Sequence, residues 1–491
     1  MIEFFIDGKP VTAEKGQTVM QAAVAAGVDI PFFCWHPHLS VPGNCRICMV
    51  EVEAEGGAWF DISCNMPVTA GMRVLTDSEK VRELRKDTMQ FITLNHPVDC
   101  GICNKSGECM LQDHHFAHNG MPSLSRDPKQ QATKFHDLSD RIMLDNERCI
   151  MCSRCVRFTA EISKSNALGV QHRGDHSLIR CAADVDFDDD PYSDNVIDIC
   201  PVGALLSRQL LDHARVWYLK ATPQVCPGCE RGCSINVWTR KDSWKLHSLD
   251  KRLNTRIDRV TPLENPAVNG PWICNKARDI AQILERPRAL TPMVRGAAVS
   301  PADAVAAAGA LIAGARKGVA LVSNWGSNEE LTAFHATLAA SFTSYVKTDM
   351  LPQPGERLED DILIKPDKNP NTFAARALFP MLPANAAQAI PTDTDVILVW
   401  GEGAPVDAFP PSAKVIVLTS YDLPEHARAD VLLPISVQTE RNGHYTNFAG
   451  TVTAFEQCVP KAATVFHAAP LFEQLFAAAS SKSARQLAGA H

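Results

Sequence analysis

The chain has 491 residues, 45% of them hydrophobic and 21% charged, with a net charge of −8. This is a globular composition, with room for roughly three or more domains of about 100–200 residues each. The acidic balance argues against a general nucleic-acid binder, no run of about 18 apolar residues is present to span a membrane, and the N-terminal MIEFFIDGKPVTAEKGQTV does not read as a signal peptide. The 17 cysteines are therefore expected to stay reduced and to serve as metal or redox ligands rather than disulfides.

In chain order, Ile2–Ile6 alternates as a strand into Asp7-Gly8, a pair suited to a tight hairpin. Gln17–Ala26 has helical spacing and stops at Gly27. Residues 46–64 hold two strand-like runs broken at Gly56-Gly57, so residues 1–78 read as a small, mostly β domain. From Asp77 to Leu94, the apolar Val81, Leu84, Met89 and Ile92 mark one side of a helix. Cysteine groups then dominate as far as Cys233. The aspartate-rich run Asp184–Asp194 reads as a solvated loop, with a divalent-cation site as the alternative. After Cys274 the chain turns Ala-rich and helix-prone over 280–345. The apolar runs Val319–Ser323, Val396–Trp400 and Val415–Thr419 each end in turn residues, which predicts α/β layers around a parallel sheet. The Pro-rich stretch Leu351–Pro370 reads as a linker or surface loop.

Most of the cysteines, with one histidine, fall into four consecutive sets. Group one is Cys34, Cys45, Cys48 and Cys64. Three loop cysteines and a distant fourth suit a [2Fe–2S] cluster, with structural zinc as the alternative. His36 and His38 follow Cys34 but find the ligand count already full. Group two has Cys100, Cys103 and Cys109 in a C-x2-C-x5-C run. On residues alone its fourth ligand stays open between His96, Asp99, Cys181 and none. Group three is Cys149, Cys152 and Cys155, closed by a remote Cys200 followed at once by Pro201, the ferredoxin pattern for [4Fe–4S]. The usual nearby fourth cysteine is replaced by Thr159. Group four is Cys226, Cys229, Cys233 and a remote Cys274, again a [4Fe–4S] pattern, with zinc as the alternative. Cys181 and Cys458 are left over and read as core cysteines. Arg148, Arg154 and Arg157 flank group three. They are placed to raise its potential, but the plainer reading makes them surface or interface charges.

The order of these sites, with HPVDCGICNKSGECMLQD, DNERCIMCSRCVRF and the N-terminal PFFCWHPHLSVPGNCRICMVEV, resembles the large iron–sulfur subunit of respiratory NADH:quinone oxidoreductase, complex I (the G-type chain of bacteria, the 75 kDa chain of mitochondria). The resemblance covers residues 1–275, and its H-x3-C-x2-C-x5-C motif makes His96 a cluster ligand. It implies iron ligation by all sixteen residues of the four groups: one [2Fe–2S] and three [4Fe–4S] clusters. Electrons are expected to enter from flavin on a neighbouring subunit at group one, to pass by groups three and two, and to leave through a ferredoxin-like [4Fe–4S] subunit towards quinone. Group four resembles an extra cluster of some bacterial members, off the main path. ENPAVNGPWICNKAR looks like the family's closing strand and cysteine, with an insertion around Lys241–Arg259.

The implied fold class is α+β and α/β multidomain. A β-grasp [2Fe–2S] ferredoxin-like domain is expected at 1–78, a histidine-ligated [4Fe–4S] domain at 79–118 and a [4Fe–4S] ferredoxin-like domain at 138–215. A molybdopterin-oxidoreductase-type [4Fe–4S] domain follows at 219–280, and a shortened molybdopterin-oxidoreductase-like α/β domain at 281–491. That last region resembles its family in VILVWGEG and ARADVLLPISVQTERNGHYTNFAGTV, but is short for two pterins and lacks a cysteine placed for molybdenum, so no molybdopterin is expected.

The chain shows no GxGxxG after a strand, no P-loop and no nucleophile elbow, so bound NAD or FMN and catalytic residues are not expected on it. The expected partners are the flavin/NADH-binding subunit, a two-iron thioredoxin-like subunit, the ferredoxin-like subunit and the quinone-site subunits. The expected location is peripheral, on the cytoplasmic face of the bacterial inner membrane. Two other functions fit parts of the pattern: the electron-transfer subunit of a soluble NAD-linked hydrogenase or formate dehydrogenase, and a zinc-stapled scaffold.

Overall fold

The alternation at the N-terminus becomes a hairpin: β1 (Ile2–Ile6) turns through Asp7 and Gly8, both at positive φ, into β2 (Lys9–Ala13). In this computed structural model, which describes residues 1–54, 57–245 and 256–488, the hairpin joins a five-stranded sheet with β3 (Met49–Ala54), β4 (Gly57–Ile62) and β5 (Arg73–Leu75). The strand order is β2-β1-β5-β3-β4, and only the β1–β5 pair is parallel. Helix α1 (Val19–Ala25) starts at a Thr18–Gln21 capping box, which satisfies backbone donors at its open end. It buries Val19, Met20, Ala22 and Ala23 in a core with Phe4, Ile6, Val50 and Val52, and the group-one residues Cys48 and Cys64 belong to the same core.

Helix α2 (Glu79–Thr93), capped by Ser78, buries Val81 and Met89 as its spacing predicts. Arg85 is buried on that side as well, its Nη2 donating to the Met49 carbonyl at 3.0 Å. Helix α3 (Met110–His118) follows, then three short strands, β6 (His136–Asp137), β7 (Ile142–Leu144) and, later, Leu205–Ser207, in one small sheet. Helix α4 (Arg154–Glu161) and the hairpin Leu168–Gln171 with Leu178–Cys181 complete the frame of group three. The acidic run is only half a solvated loop. Asp184, Asp186, Asp188 and Asp189 are exposed, whereas Asp194 is buried against Arg141 and Asp190 accepts from Ser165 and the Tyr192 amide.

Two compact units emerge, Met1–Tyr218 and Leu219–His491. The second begins with an antiparallel sheet of Leu219–Val225, Ser234–Arg240 and Arg259–Pro262. The expected insertion around Lys241–Arg259 falls largely on 246–255, outside the described residues. The stretch Glu264–Cys274 contains no closing strand; it is a turn bridged between Asn265 and Gly270, and the strand lies before it. The unit then builds a seven-stranded sheet in which Thr343–Val346, Gly318–Val322, Val396–Trp400, Lys414–Thr419 and Val431–Pro434 run parallel. Alternate residues serve its two faces. Ala320, Val322, Leu398 and Ile416 pack under the helices Pro301–Gly314 and Ala468–Ala488, while Val319, Leu321, Ile397 and Val415 pack against Ile390 and Phe409.

The stretch Leu351–Pro370 lacks regular structure, as expected, but it is not a linker. Lys368, 1% exposed, donates to the carbonyls of Arg357, Leu358 and Lys365 and folds the segment back on itself. Among the described residues no helix is long and apolar enough to cross a membrane.

Candidate iron–sulfur sites

Group one gathers at one end of the first sheet. Cys34 lies in the loop after α1, Cys45 and Cys48 precede β3, and Cys64 follows β4. The turn between Cys45 and Cys48 places Arg46 in the left-handed region, at φ 61°. The Cys34 amide meets Cys45 Sγ at 3.5 Å. Hydrogen bonding from Cys45 draws the Cys34 thiol down to about 5, and Cys64 likewise lowers Cys48. His36 is held neutral, at about 3, by burial and by Arg154.

Group two is built across α3 and the loop before it. Cys109 caps the helix, and its Sγ faces the Pro201 carbonyl at 3.8 Å. Cys103 is buried beside Cys109 while Cys100 is exposed. Gly203 is required here: a Cβ at this position would sit 2.3 Å from Cys103 Sγ. Gly107, at φ 87°, is pressed against Trp217, where a Cβ would come within 2.6 Å of the ring. Of the candidates for the fourth ligand, Asp99 is spent on Arg148 at 2.7 Å and Lys134 at 3.3 Å, and Cys181 points its Sγ to the Leu138 carbonyl at 3.4 Å. His96 Nδ1 is buried without a hydrogen-bond partner. Burial keeps its ring neutral, at about 4, the form in which imidazole donates to a metal.

Cys149, Cys152, Cys155 and Cys200 all line one enclosed cavity. Met151 at φ 53° and Ser153 at φ 58° flank Cys152 in the loop that carries three of these four cysteines. This left-handed backbone at two non-glycine residues carries no sequence signal. Group four occupies the turn between Leu219–Val225 and Ser234–Arg240, closed by the Cys226 amide on the Cys233 carbonyl at 2.8 Å, and Cys274 caps a short helix beside it. The Leu351–Pro370 segment lies over that turn: Arg231 donates to the carbonyls of Ile362 and Leu363, and Lys276 pairs with Glu356 at 2.6 Å. Cys181 and Cys458 are only half-buried, less enclosed than the core position expected of them.

Burial pushes Cys149 to about 12, Cys152 and Cys274 to about 11, and Cys155, Cys226 and Cys233 well above the ordinary thiol value. Thiols so placed ionise only against a strong positive charge, which iron supplies. The donor set, the shared cavity of group three, the space that Gly203 keeps free and the unpartnered His96 nitrogen all fit cluster binding. Among the described residues no three His, Cys, Asp or Glu side chains close on a single point as one metal ion requires.

The parallel strands of the second unit end in a crevice lined by charged side chains. The carboxyl ends of parallel strands are where such sheets hold ligands. Here that crevice is filled by the chain itself: Lys347 and Asp349 pair at 2.6 Å, Asp349 accepts from Ser323, and Arg286 forks onto Glu402. A small cavity of about 40 Å³ lies between Trp325, Glu402, Tyr421 and Arg441.

These are the features of a multi-cluster iron–sulfur protein, and comparison with known proteins agrees. Residues 1–79 match the 2Fe-2S iron-sulfur cluster binding domain, and residues 85–119 the NADH-ubiquinone oxidoreductase-G iron-sulfur binding region. Residues 139–206 match the ferredoxin-like domain of NADH-quinone oxidoreductase subunit 3, and residues 219–286 the molybdopterin oxidoreductase Fe4S4 domain. The chain is 39% identical over 311 residues to the mitochondrial NADH dehydrogenase [ubiquinone] iron-sulfur protein 1 of Solanum tuberosum, covering 62% of this chain and 40% of that protein. It is 36% identical over 295 residues to the NADH-quinone oxidoreductase-G protein of Rickettsia typhi, covering 60% and 41%. The chain thus spans about two fifths of the length of these relatives. An NAD+-reducing [NiFe]-hydrogenase structure aligns with a TM-score of 0.40 at 31% identity, over 44% of this chain and 91% of that one. Residues 1–286 are thus similar, match by match, to the large iron–sulfur subunits of NADH-quinone oxidoreductase.

Proposed function

We propose that the protein is the iron–sulfur electron-transfer subunit of the peripheral arm of an NADH:quinone oxidoreductase, carrying one [2Fe–2S] and three [4Fe–4S] clusters on the sixteen residues of groups one to four. The observation that carries the reading is the convergence of Cys149, Cys152, Cys155 and Cys200 on one buried cavity, in a chain whose other sets follow the family's order. Iron–sulfur clusters, when bound, take up and release single electrons. The chain's own work is to hold them: Cys34, Cys45, Cys48 and Cys64 the two-iron cluster, and His96 with Cys100, Cys103 and Cys109 the adjacent four-iron cluster. Buried backbone around the sulfurs excludes water, and N–H groups such as those of Met151 and Gly228, each 3.4 Å from a cysteine sulfur, tune the potentials.

The five-domain division (1–78, 79–118, 138–215, 219–280, 281–491) is part of this proposal. So are the flavin, thioredoxin-like, ferredoxin-like and quinone-site partner subunits, and a peripheral place on the cytoplasmic face of the inner membrane. The filled crevice of the second unit supports a domain without molybdopterin whose role is packing and support. Iron and zinc analysis of the anaerobically purified chain, with EPR after dithionite reduction, tests the reading. Four full sites give about 14 iron atoms with one two-iron signal and several four-iron signals. Zinc in place of iron, with no reducible signal, sinks it.

A further inference from the structure

The loops that carry groups one and three are tied to each other by hydrogen bonds at the residues flanking their ligands. Arg154, 4% exposed, donates through Nη2 to the carbonyl of Trp35, next to Cys34, at 2.7 Å, and through Nη1 to that of Ile199, next to Cys200, at 3.0 Å. Arg157 spans the same gap. Its Nη2 reaches the carbonyl of Cys34 itself and, at 3.3 Å, that of Cys152, while Nη1 donates to Ser40. Glu161, at the end of the same helix, accepts the Ser40 amide at 2.8 Å. Asn44, next to Cys45, donates to the carbonyl of Met151, next to Cys152, at 3.0 Å. The sequence suggested surface or interface charges; Arg154 is instead buried, and Arg157 is partly buried.

We propose that Arg154 and Arg157 are positioning residues that lock the loop of group one onto the loop of group three, so that guanidinium–carbonyl bonds set the separation between the two sites. This rests on reading both groups as cluster sites. The guanidinium fork is planar and rigid, with donors that reach two carbonyls in fixed directions, so it fixes geometry where a lysine would only supply charge. Electron transfer between buried centres falls off exponentially with distance, so a loop free to drift by an ångström would cost rate directly. The same two cations face thiolates of both sets, Cys34 and Cys152, and stabilise the reduced, more negative state of each site.

The test uses the full chain as Arg154→Gln, Arg157→Gln and the matching lysine variants, with two readouts. Hydrogen exchange of the amides between residues 34 and 44 reports the tie itself, whatever metal is bound. It should accelerate about tenfold in all four variants, as expected for the loss of hydrogen bonds to a charged group, with β1 and β2 unchanged. EPR of the reduced, iron-loaded chain reports the consequence. The spin coupling between the two-iron and group-three signals should weaken in all four variants, and both potentials should fall in the glutamine variants but recover with lysine, which restores charge without the fork. Unchanged exchange and unchanged coupling at full iron content overturn the proposal. A wild-type chain with no reducible signals overturns the proposed function instead, and exchange alone then decides whether the arginines tie the loops.

Discussion

The stretch from α2 to Tyr218 and the seven-stranded sheet of the second unit hold together by different means. After the 15-residue α2, the first is made of strands two to four residues long and short helices, and its loops are tied by buried arginines around the cavity that Cys149, Cys152, Cys155 and Cys200 line. The second is a layered α/β body with an apolar core on each face of its sheet; on one face Phe334, Trp400 and Phe472 meet edge to face or stacked, at centroid distances of 4.9–6.0 Å. On the proposed function, the first region is expected to depend on its bound clusters for stability, whereas the other draws its stability from burying apolar surface. A chain that must space several cofactors has little volume left for an ordinary core around them.

The comparison breaks if iron removal treats both regions alike. Anaerobic chelation should abolish hydrogen-exchange protection over residues 95–210 and leave Gly318–Val322 and Val396–Trp400 protected, the largest effect expected. Gly203→Ala sharpens it within the first region. The added Cβ, 2.3 Å from Cys103 Sγ, should cost the iron of one four-iron cluster and its EPR signal while group three keeps its own. In the second region, Phe472→Ala removes a fully buried ring and should lower stability by about 3–5 kcal/mol in a denaturant melt, with iron content unchanged. Equal loss of iron and sheet in that variant would mean that the two regions unfold together.

The smallest effect concerns Asp395, before the strand Val396–Trp400. Burial raises its carboxyl, but bonds from the Arg316 and Lys317 amides at 2.8 and 3.0 Å outweigh this and hold it below the usual carboxylate value. A depressed acid stabilises the fold above its unfolded value, near pH 4, and that contribution disappears as pH falls through the folded value. Asp395→Asn should therefore cost less than about 1 kcal/mol at pH 7 and flatten the acid limb of the second unit's stability curve.

Much of the candidate site was legible because metal ligation is written in residue type and spacing. C-x2-C-x2-C with a remote C-P names its own chemistry, and the three apolar runs of the second unit became parallel strands because continuous apolar runs demand burial on both faces. Other features had no sequence signal. Arg154 and Arg157 read as surface or interface charges because their partners are backbone carbonyls, which every residue possesses. Lys347 and Lys368 are each 1% exposed for the same kind of reason, their charge being met by groups that only the folded chain brings near. The Pro-rich segment read as a linker or surface loop because its composition is that of a loop; it is a loop, and its contacts over group four come from distant residues.

The sequence by itself determined which cysteines group into candidate ligand sets and in what order, since ligand chemistry is local and carried by a few residue types. It also determined the two-residue and 3.6-residue apolar rhythms that make strands and helices. Only the tertiary structure decided that groups one and three share a set of arginine ties, that Gly203 keeps a sulfur's space open, and that the crevice of the second sheet is filled by its own ion pairs. Each of these depends on residues far apart in sequence meeting at close range, and no local pattern encodes such a meeting.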